Sequence, residues 1–488
     1  MHPAATLPVP QRAALPPLPA DRLERVWAWG GADSVMSWVW RPSTIDGIRD
    51  VLQLAASRGL SVGLRGAGRS YGDAALNAEG VSLDLSRMTR ILDWDPARGI
   101  VRVEPGVTLH QLWRYVLEDG WWPPVVTGTM TITLGGAAAM NVHGKNAWKV
   151  GPIGDHLRAA DLLLASGEVV HCSREERPEL FHAAIGSFGM LGCFVSLELQ
   201  LERIHSGLLD VEALPARSLE EMLGIFEERL GTADYLVGWI DCFGRGPQLG
   251  RGLVHAAYHL PPGEDRQAGQ TLRAEAQELP STLLGVVPKS VMWRLMRPVT
   301  HDHGVRLVNA AKYHLGAWQG PGRYRQPHVA FHFLLDYVPD WKRAYGPGGL
   351  VQFQAFVPAT AAPAVYPELI VRSQRAGIVP YLGVLKRHRA DPFWMTHGLD
   401  GWSLAMDFRV TRRRRPALWQ HCRALARVVA GAGGRFYFAK DSILAPEDLG
   451  DYYDEERVRR FLALKRELDP ELRWQTDLWR RLFAGRCA

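Results

Sequence analysis

TGTMTITLGGAAAMNVHGKN, residues 127–146, is the stretch on which the reading of this chain turns. Its glycines and alanines stand between threonines at one end and His143, Lys145 and Asn146 at the other. Glycine and alanine at this density cannot build a core; they let a backbone approach something flat and polar very closely. The hydroxyls of Thr127, Thr129, Thr131 and Thr133, with the glycine N–H groups, offer hydrogen bonds to phosphate or carbonyl oxygens. A large cofactor lying along the segment is therefore expected. The alternative is a small-residue packing seam between two layers.

With 488 residues, 47% hydrophobic and 22% charged, the chain has the composition of a globular protein, with room for roughly two to three cores. No apolar run approaches the ~18–20 residues of a membrane span. Residues 1–20, rich in proline and alanine, lack the basic and apolar regions of a signal peptide and read as a disordered leader. Cys172, Cys193, Cys242, Cys422 and Cys487 are scattered, odd in number and never at metal-ligand spacing. That argues for a reducing compartment, against a disulfide framework and against a bound metal. The net charge of +6 suggests anionic partners, such as a phosphorylated substrate or an anionic membrane surface. No basic patch with interleaved aromatics marks a nucleic-acid groove.

Working outward, a strand over 39–41 leads to a helix over about 44–56 capped by Ser43 or Thr44, then a strand over 61–64 runs into RGAGRSYG (65–72). Strands are expected over 81–85 and 100–103, a Thr108-capped helix to Gly120, a hairpin over 160–172, a helix over 178–184 and a strand over 194–201. Beyond about Arg203 longer, aromatic-rich strands are expected over 235–241, 328–335, 351–357 and 402–410, with helices over 219–230 and 365–376. Residues 262–322 show little strand signal and read as long loops.

The glycines at 66, 68 and 72 are spaced two and four, and no helical pattern follows them, so a Rossmann fingerprint is a poor reading. The ordered series LRGAGRS (64–70), TGT…LGGAAA…HGKN, DLLLASGEVV (161–170) and GSFGMLGCFVSLELQL (186–201) is more informative. It resembles the FAD-binding domain of the flavoprotein family that includes vanillyl-alcohol oxidase, p-cresol methylhydroxylase and the aldonolactone oxidases. The resemblance covers nearly the whole chain, with FYFAKDS (436–442) and LDPELRWQTDLWRRL (468–482) matching the closing segment. GRSYGDAALN (68–77), WKRAYGPGG (341–349), VQFQAFVP (351–358) and GWSLAMDF (401–408) are similar, in order, to the branch that oxidises polyprenylphosphoryl ribose.

The resemblance implies an α+β protein. After a leader (1–21) it has a vanillyl-alcohol-oxidase-type FAD-binding domain (22–204) and an α+β substrate domain on an antiparallel sheet (205–434). A C-terminal segment (435–488) returns to the FAD domain. Where covalently flavinylated relatives carry a histidine this chain has Arg69, so FAD is expected to be bound non-covalently. Arg65, Gly66, Ala67, Gly68, Arg69, Ser70, Tyr71 and Gly72 are placed along the pyrophosphate. Gly128, Thr129, Thr133, Gly135, Gly136, Ala137, Asn141, His143 and Gly144 are placed on FAD. Gly189, Gly192 and Phe194 follow its adenosine half, and Tyr437 approaches the flavin from the returning segment.

For the chemistry, a carbinol carbon must face flavin N5, a base must take the hydroxyl proton, and positive charge or donors must steady the reduced flavin. The resemblance makes Lys440 the group for substrate orientation and proton handling, with Tyr71 as relay and His143 and Lys145 at the substrate and flavin edge. Gln352 and Gln354 share a strand face and fall on sugar hydroxyls, Lys386 on phosphate or hydroxyl, and Trp239 walls the pocket. Each has a plain alternative as a core or surface residue. Ala405 stands where relatives commonly carry cysteine, and His332 where an aromatic is usual; both bear on the shape of the pocket.

The implied function is oxidation of a secondary alcohol on a sugar to a ketone, best the 2-hydroxyl of a polyprenylphosphoryl ribose. A short-chain NAD(P)H-dependent keto-reductase would complete the epimerisation. The implied setting is the cytoplasm with peripheral membrane contact, for which residues 283–297, LLGVVPKSVMWRLMR, are the candidate segment. The rivals are a soluble sugar or aldonolactone oxidase using oxygen, and a flavin-binding protein without catalysis.

Overall fold

The computed structural model describes residues 18–283 and 287–486. Most of the expected leader (1–17), Cys487, and residues 284–286 of the proposed membrane segment lie outside the described residues. The N-terminal part contains two sheets. One orders Leu23–Trp27, Ser34–Trp40, Val81–Asp84 and Val62–Arg65, with the first pair antiparallel and the others parallel. The helix Ile45–Ser57 covers it. Its N-cap is Thr44, whose hydroxyl accepts from Gly47 N at 3.0 Å, and the expected stripe Ile48, Val51, Leu52 and Ala55 is buried.

The second sheet is antiparallel, in the order Ile91–Asp95, Ile100–Val103, Cys193–Gln200, Leu157–Leu163 and Val169–Ser173. The expected hairpin is its last pair. Helix Leu109–Val116 begins in a capping box between Thr108 and Gln111 and packs on this core through Leu109, Leu112, Trp113 and Val116.

The larger sheet is antiparallel throughout. It runs Gly322–Pro327, Leu208–Ala216, Gly252–His259, Tyr235–Ile240, Leu382–His388, Gly401–Arg409, Leu350–Pro358 and Arg435–Phe436. Helices Leu219–Arg229, Ala362–Arg375 and Arg415–Gly431 share a core with one face of it. Alternation along Leu350–Pro358 sends Val351, Phe353, Ala355 and Val357 into that core and Gln352 and Gln354 to the opposite face. Arg435 and Phe436, assigned from sequence to the returning segment, form the edge strand of this sheet. The chain then crosses to the N-terminal part, where Val62 N donates to Arg473 O at 2.7 Å and Gln475 N to Val62 O at 3.0 Å.

Three expectations fail. Residues 328–335 are not a strand: His328–His332 is a short helix followed by the turn Leu334–Asp336. Pro327 ends the preceding strand because it has no N–H to continue a ladder, and the short apolar run that follows suits either period. Residues 262–322 are not mainly loop, since Asp302–Gln319 is an 18-residue helix; Gly304 and Gly316 weaken its signal in the sequence. The Gly/Ala block does contribute to a core: Leu134–Ala139 is a helix, and Ala137 and Ala138 are fully buried.

The returning segment is locked by charge. Arg481 donates to Asp73 at 2.7 and 2.8 Å and to Asp441 at 2.9 Å, with the Asp441 carboxylate fully buried. Asp441 also accepts from Ile443 N and Leu444 N at 2.9 and 3.1 Å. Truncating Arg481 strands two carboxylates, so Arg481→Ala is expected to cost about 3–5 kcal/mol in denaturant unfolding; a loss below about 1 kcal/mol would show the lock to be dispensable.

Candidate active site

A cavity of about 640 Å³ lies between the glycine loops of the N-terminal part and the open face of the large sheet. The loop 65–72 and the helix Leu134–Ala139 adjoin tightly on one side. A Cβ on Gly66 would lie 2.0 Å from Thr133 Oγ1, and Gly68 holds φ +63° with its Cβ position against the Arg65 guanidinium. Only glycine permits both. On the other side the sheet register sets side chains in rows. Trp239 faces Val384, which faces Ala405, which faces Gln354. The neighbouring row is Leu382, Asp407 and Gln352.

The sequence-derived candidates gather here with few exceptions. Arg65 to Tyr71, Gly128, Thr129, Thr133, Gly135, Gly136, Ala137, His143, Lys145, Gly189, Gly192, Phe194 and Tyr437 line the cavity, as do Trp239, Gln352, Gln354, Lys386, Ala405 and Lys440. Gly72, Asn141 and Gly144 do not. A Cβ on Gly72 would collide with Asp441 O at 1.7 Å, which makes it the contact point for the returning segment. Asn141, at φ +46°, accepts from Gly154 N at 3.0 Å and bonds Thr396 Oγ1 at 3.3 Å. Gly144 packs on Asn146 Oδ1.

The threonine hydroxyls are also largely used within the protein. Thr127 donates to Thr129 O at 2.9 Å, Thr129 to Asp336 at 2.8 Å, and Thr133 caps its helix.

Six lysines and arginines line the cavity, at positions 65, 69, 145, 312, 386 and 440, while no aspartate or glutamate does among the described residues. Burial pulls Lys440 down to about 7, with Asp407 opposing and Lys386 assisting, and pulls Lys386 down to about 8. Lys440 Nζ lies 3.8 Å from the Tyr71 ring centroid. Tyr71 is buried, which holds its phenol well above the usual range.

Gln352 Nε2 donates to Asp407 Oδ1 at 2.6 Å, while Asp407 Oδ2 is buried with no hydrogen-bond partner. Burial raises that carboxyl to about 6 against the pull of Gln352 and Lys440. His143 is held neutral by burial and Lys386. Its Nε2 meets Gln354 Nε2 at 3.1 Å, and its Nδ1 is buried without a partner. Lys145 is tied to Phe331 O, so its expected reach to substrate is spent on the protein.

Four contributors escape the motif reading. Asp407 and Ser403 alternate with Ala405 along Gly401–Arg409, and that alternation was a usable signal. His255 faces Val237 across the sheet. Lys312 lies on the helix hidden within the supposed loop.

The residues fit FAD: a strand-end glycine loop, a cationic lining, and inward polar atoms on Arg69 and His143 with no protein partner. Arg69 provides no imidazole for a covalent link to flavin.

Lys386 and Lys440 release protons on folding, because their folded pKa values lie below the ordinary lysine value near 10.5. Between pH 7 and 9 the unfolded chain then binds more protons, and stability rises with pH. Cofactor-free protein is expected to show a higher Tm at pH 9 than at pH 7. A falling Tm would mean these ammonium groups stay charged in the folded state.

Residues 36–173 match the family model described as an FAD binding domain. The chain is 30% identical to "Decaprenylphosphoryl-beta-D-ribose oxidase" of Mycolicibacterium smegmatis, over 94% of this chain and 97% of that protein. It is 27% identical to "L-gulonolactone oxidase" of Bos taurus, over 40% of this chain and 43% of the relative. With the two-part fold and the glycine-lined cavity in place, near-complete coverage by the first of these relatives puts this chain in the decaprenylphosphoryl-β-D-ribose oxidase family of FAD-binding oxidoreductases.

Proposed function

We propose that this chain oxidises the 2-hydroxyl of a polyprenylphosphoryl-β-D-ribose to a ketone, as the first half of an epimerisation to the arabinose form. The observation that carries the reading is the cavity lining: six cations and, among the described residues, no carboxylate, beside Gln352, Gln354 and Ala405 on adjacent strands of the sheet. The lactone oxidase relative aligns over only 40% of this chain.

FAD, when bound, would supply the two-electron oxidant for the carbinol C–H bond, the equivalent of a hydride acceptor. The chain supplies the rest. Lys440, neutral above about 7, takes the hydroxyl proton. Asp407, behind Gln352, balances the ammonium that results. Gln352 and Gln354 hold ring hydroxyls from one strand face, and the Tyr71 ring fixes Lys440 in place. His143 stays neutral and donates through Nδ1, its Nε2 being occupied by Gln354. The ketone is then reduced by a partner of the short-chain NAD(P)H-dependent class, which delivers hydrogen to the opposite face.

A lipid-linked substrate requires contact with a membrane surface. Among the described residues no helix is long and apolar enough to cross one. Of the segment 283–297, Lys289 is turned inward, 3.5 Å from the Tyr337 ring centroid, and so does not serve an interface. The reading moves to the helix Asp302–Gln319, where Leu307 and Trp318 are 72% and 82% exposed, with Leu315, Leu295, Arg294, Arg297 and Arg306 also exposed. The unpaired buried cysteines at 172, 193, 242 and 422 accord with a cytoplasmic setting.

Anaerobic mixing of holoenzyme with polyprenylphosphoryl ribose is expected to bleach the flavin, faster as pH rises through about 7. Lys440→Ala should slow the step about 10²–10⁴-fold and flatten that rise. An unchanged rate in the variant would remove Lys440 from the chemistry. Vesicles containing anionic lipid should float the protein, and Leu307→Ser with Trp318→Ser should abolish flotation while leaving flavin content intact; undiminished flotation would place the contact elsewhere.

A further inference from the structure

The helix Asp302–Gln319 delivers one group to the cavity that the chemistry above leaves unused. Its inner face is fixed to the substrate sheet. Asn309 Nδ2 donates to Tyr381 O at 3.2 Å, Tyr381 OH donates to Asp302 at 2.8 Å, and a Cβ on Gly316 would lie 2.6 Å from Leu253. Tyr313 is buried with the Arg251 guanidinium 4.7 Å from its ring centroid. Lys312, three residues on from Asn309 and thus on the same face, reaches into the cavity with Nζ 4.1 Å from the Trp239 ring centroid.

Its surroundings offer no counter-charge. Among the described residues Lys312 makes no ion pair and no carboxylate lines the cavity. His255, which also lines the cavity, is held neutral by burial and by Lys312 and Lys145, down to about 4. Lys312 is solvent-exposed as a residue, while the atoms crowded around its ammonium draw it down to about 8.

Three of the other five lining cations are committed: Lys145 to Phe331 O, Arg65 to Ala75 O and Trp27 O, and Lys440 to the Tyr71–Asp407 end; of the remaining two, Arg69 lies in the glycine loop and Lys386 on the sheet. Trp239 compensates Lys312 only through its ring face and leaves the three N–H donors free. A cation so placed at the cavity lining, with no counter-charge beside it, attracts a ligand that brings negative charge.

The sheet register gives the distance at which this charge acts. Trp239, Val384, Ala405 and Gln354 are successive cross-strand neighbours, so Lys312 and Gln354 mark the two ends of a floor about 14 Å wide at ~4.8 Å per strand. The proton-handling groups Asp407, Gln352 and Lys440 lie toward the Gln354 end.

We propose that Lys312 anchors the substrate's phosphate over Trp239, so that the sugar extends along the floor and presents its hydroxyls to Gln352 and Gln354. This assignment rests on the functional reading above and extends it, because it sets the direction in which the substrate enters. A sugar without the phosphate would lack this anchor and sit without fixed polarity.

The test uses flavin-loaded wild type, Lys312→Gln and Lys312→Arg, titrated anaerobically with farnesylphosphoryl ribose and separately with farnesyl phosphate, which cannot react and is followed by its perturbation of the flavin spectrum. Lys312→Gln is expected to raise half-saturation for both ligands about 10- to 100-fold, the worth of one charge-assisted hydrogen bond. The limiting rate of flavin reduction should stay within about twofold, and Lys312→Arg should recover most of the binding.

Unchanged half-saturation overturns the proposal. Released FAD overturns it in favour of a cofactor role, and unchanged half-saturation with lost vesicle binding overturns it in favour of a lipid-headgroup role. If phosphoryl ribose fails to reduce even the wild type, the functional reading falls, while the farnesyl phosphate titration still decides the lysine.

Discussion

Tyr71 N–H donates to Ala439 O at 2.8 Å, and the architecture of the site depends on that contact. It joins the glycine loop of the N-terminal part to the segment 437–442, which has just left the edge of the large sheet. Lys440 hangs directly beyond it, above the Tyr71 ring. Such a junction is weak by itself, since one backbone hydrogen bond is worth about 1 kcal/mol net. The Arg481–Asp441–Asp73 cluster makes it durable by burying charges that no rearrangement could leave paired. Gly72 completes it, because any side chain there would displace Asp441 O.

From that junction the division of labour follows. The N-terminal part contributes backbone and small residues, which cradle a large cofactor. The large sheet contributes alternating side chains, which in the proposed function would sort a smaller substrate by hydroxyl and charge. The cost of the arrangement is a set of lysines lining one cavity, Lys440 drawn down to about 7 and Lys386 and Lys312 to about 8. Such lowering turns a lysine into a usable base near neutral pH. It also makes the empty cavity electrostatically uncomfortable, which favours anionic occupants.

Much of this was legible in the sequence, for reasons that differ by residue. Gly66 and Gly68 are glycines because a side chain would strike Thr133 or Arg65, so their spacing carries the cradle. Gln352 and Gln354 are readable because a strand has period two. Thr44 and Thr108 announce their helices by capping chemistry.

The illegible parts share one cause: tertiary contact overrides local pattern. His328–His332 alternates like a strand but is wedged as a helix, with His332 4.4 Å from Tyr235 and 5.9 Å from Trp122 between ring centroids. Lys145 sits in a motif that suggests outreach, yet a backbone carbonyl claims it. The helix Asp302–Gln319 shows outward leucines and a tryptophan, an inverted pattern that reads as no helix at all unless something apolar or charged lies outside.

The most direct test of the central claim is the isotope effect on flavin bleaching with polyprenylphosphoryl ribose deuterated at carbon 2. The account predicts a several-fold slowing of the reductive step and a product two hydrogens lighter, with the carbonyl at carbon 2. Bleaching that is insensitive to deuterium at carbon 2, or a carbonyl formed at another carbon, would contradict it.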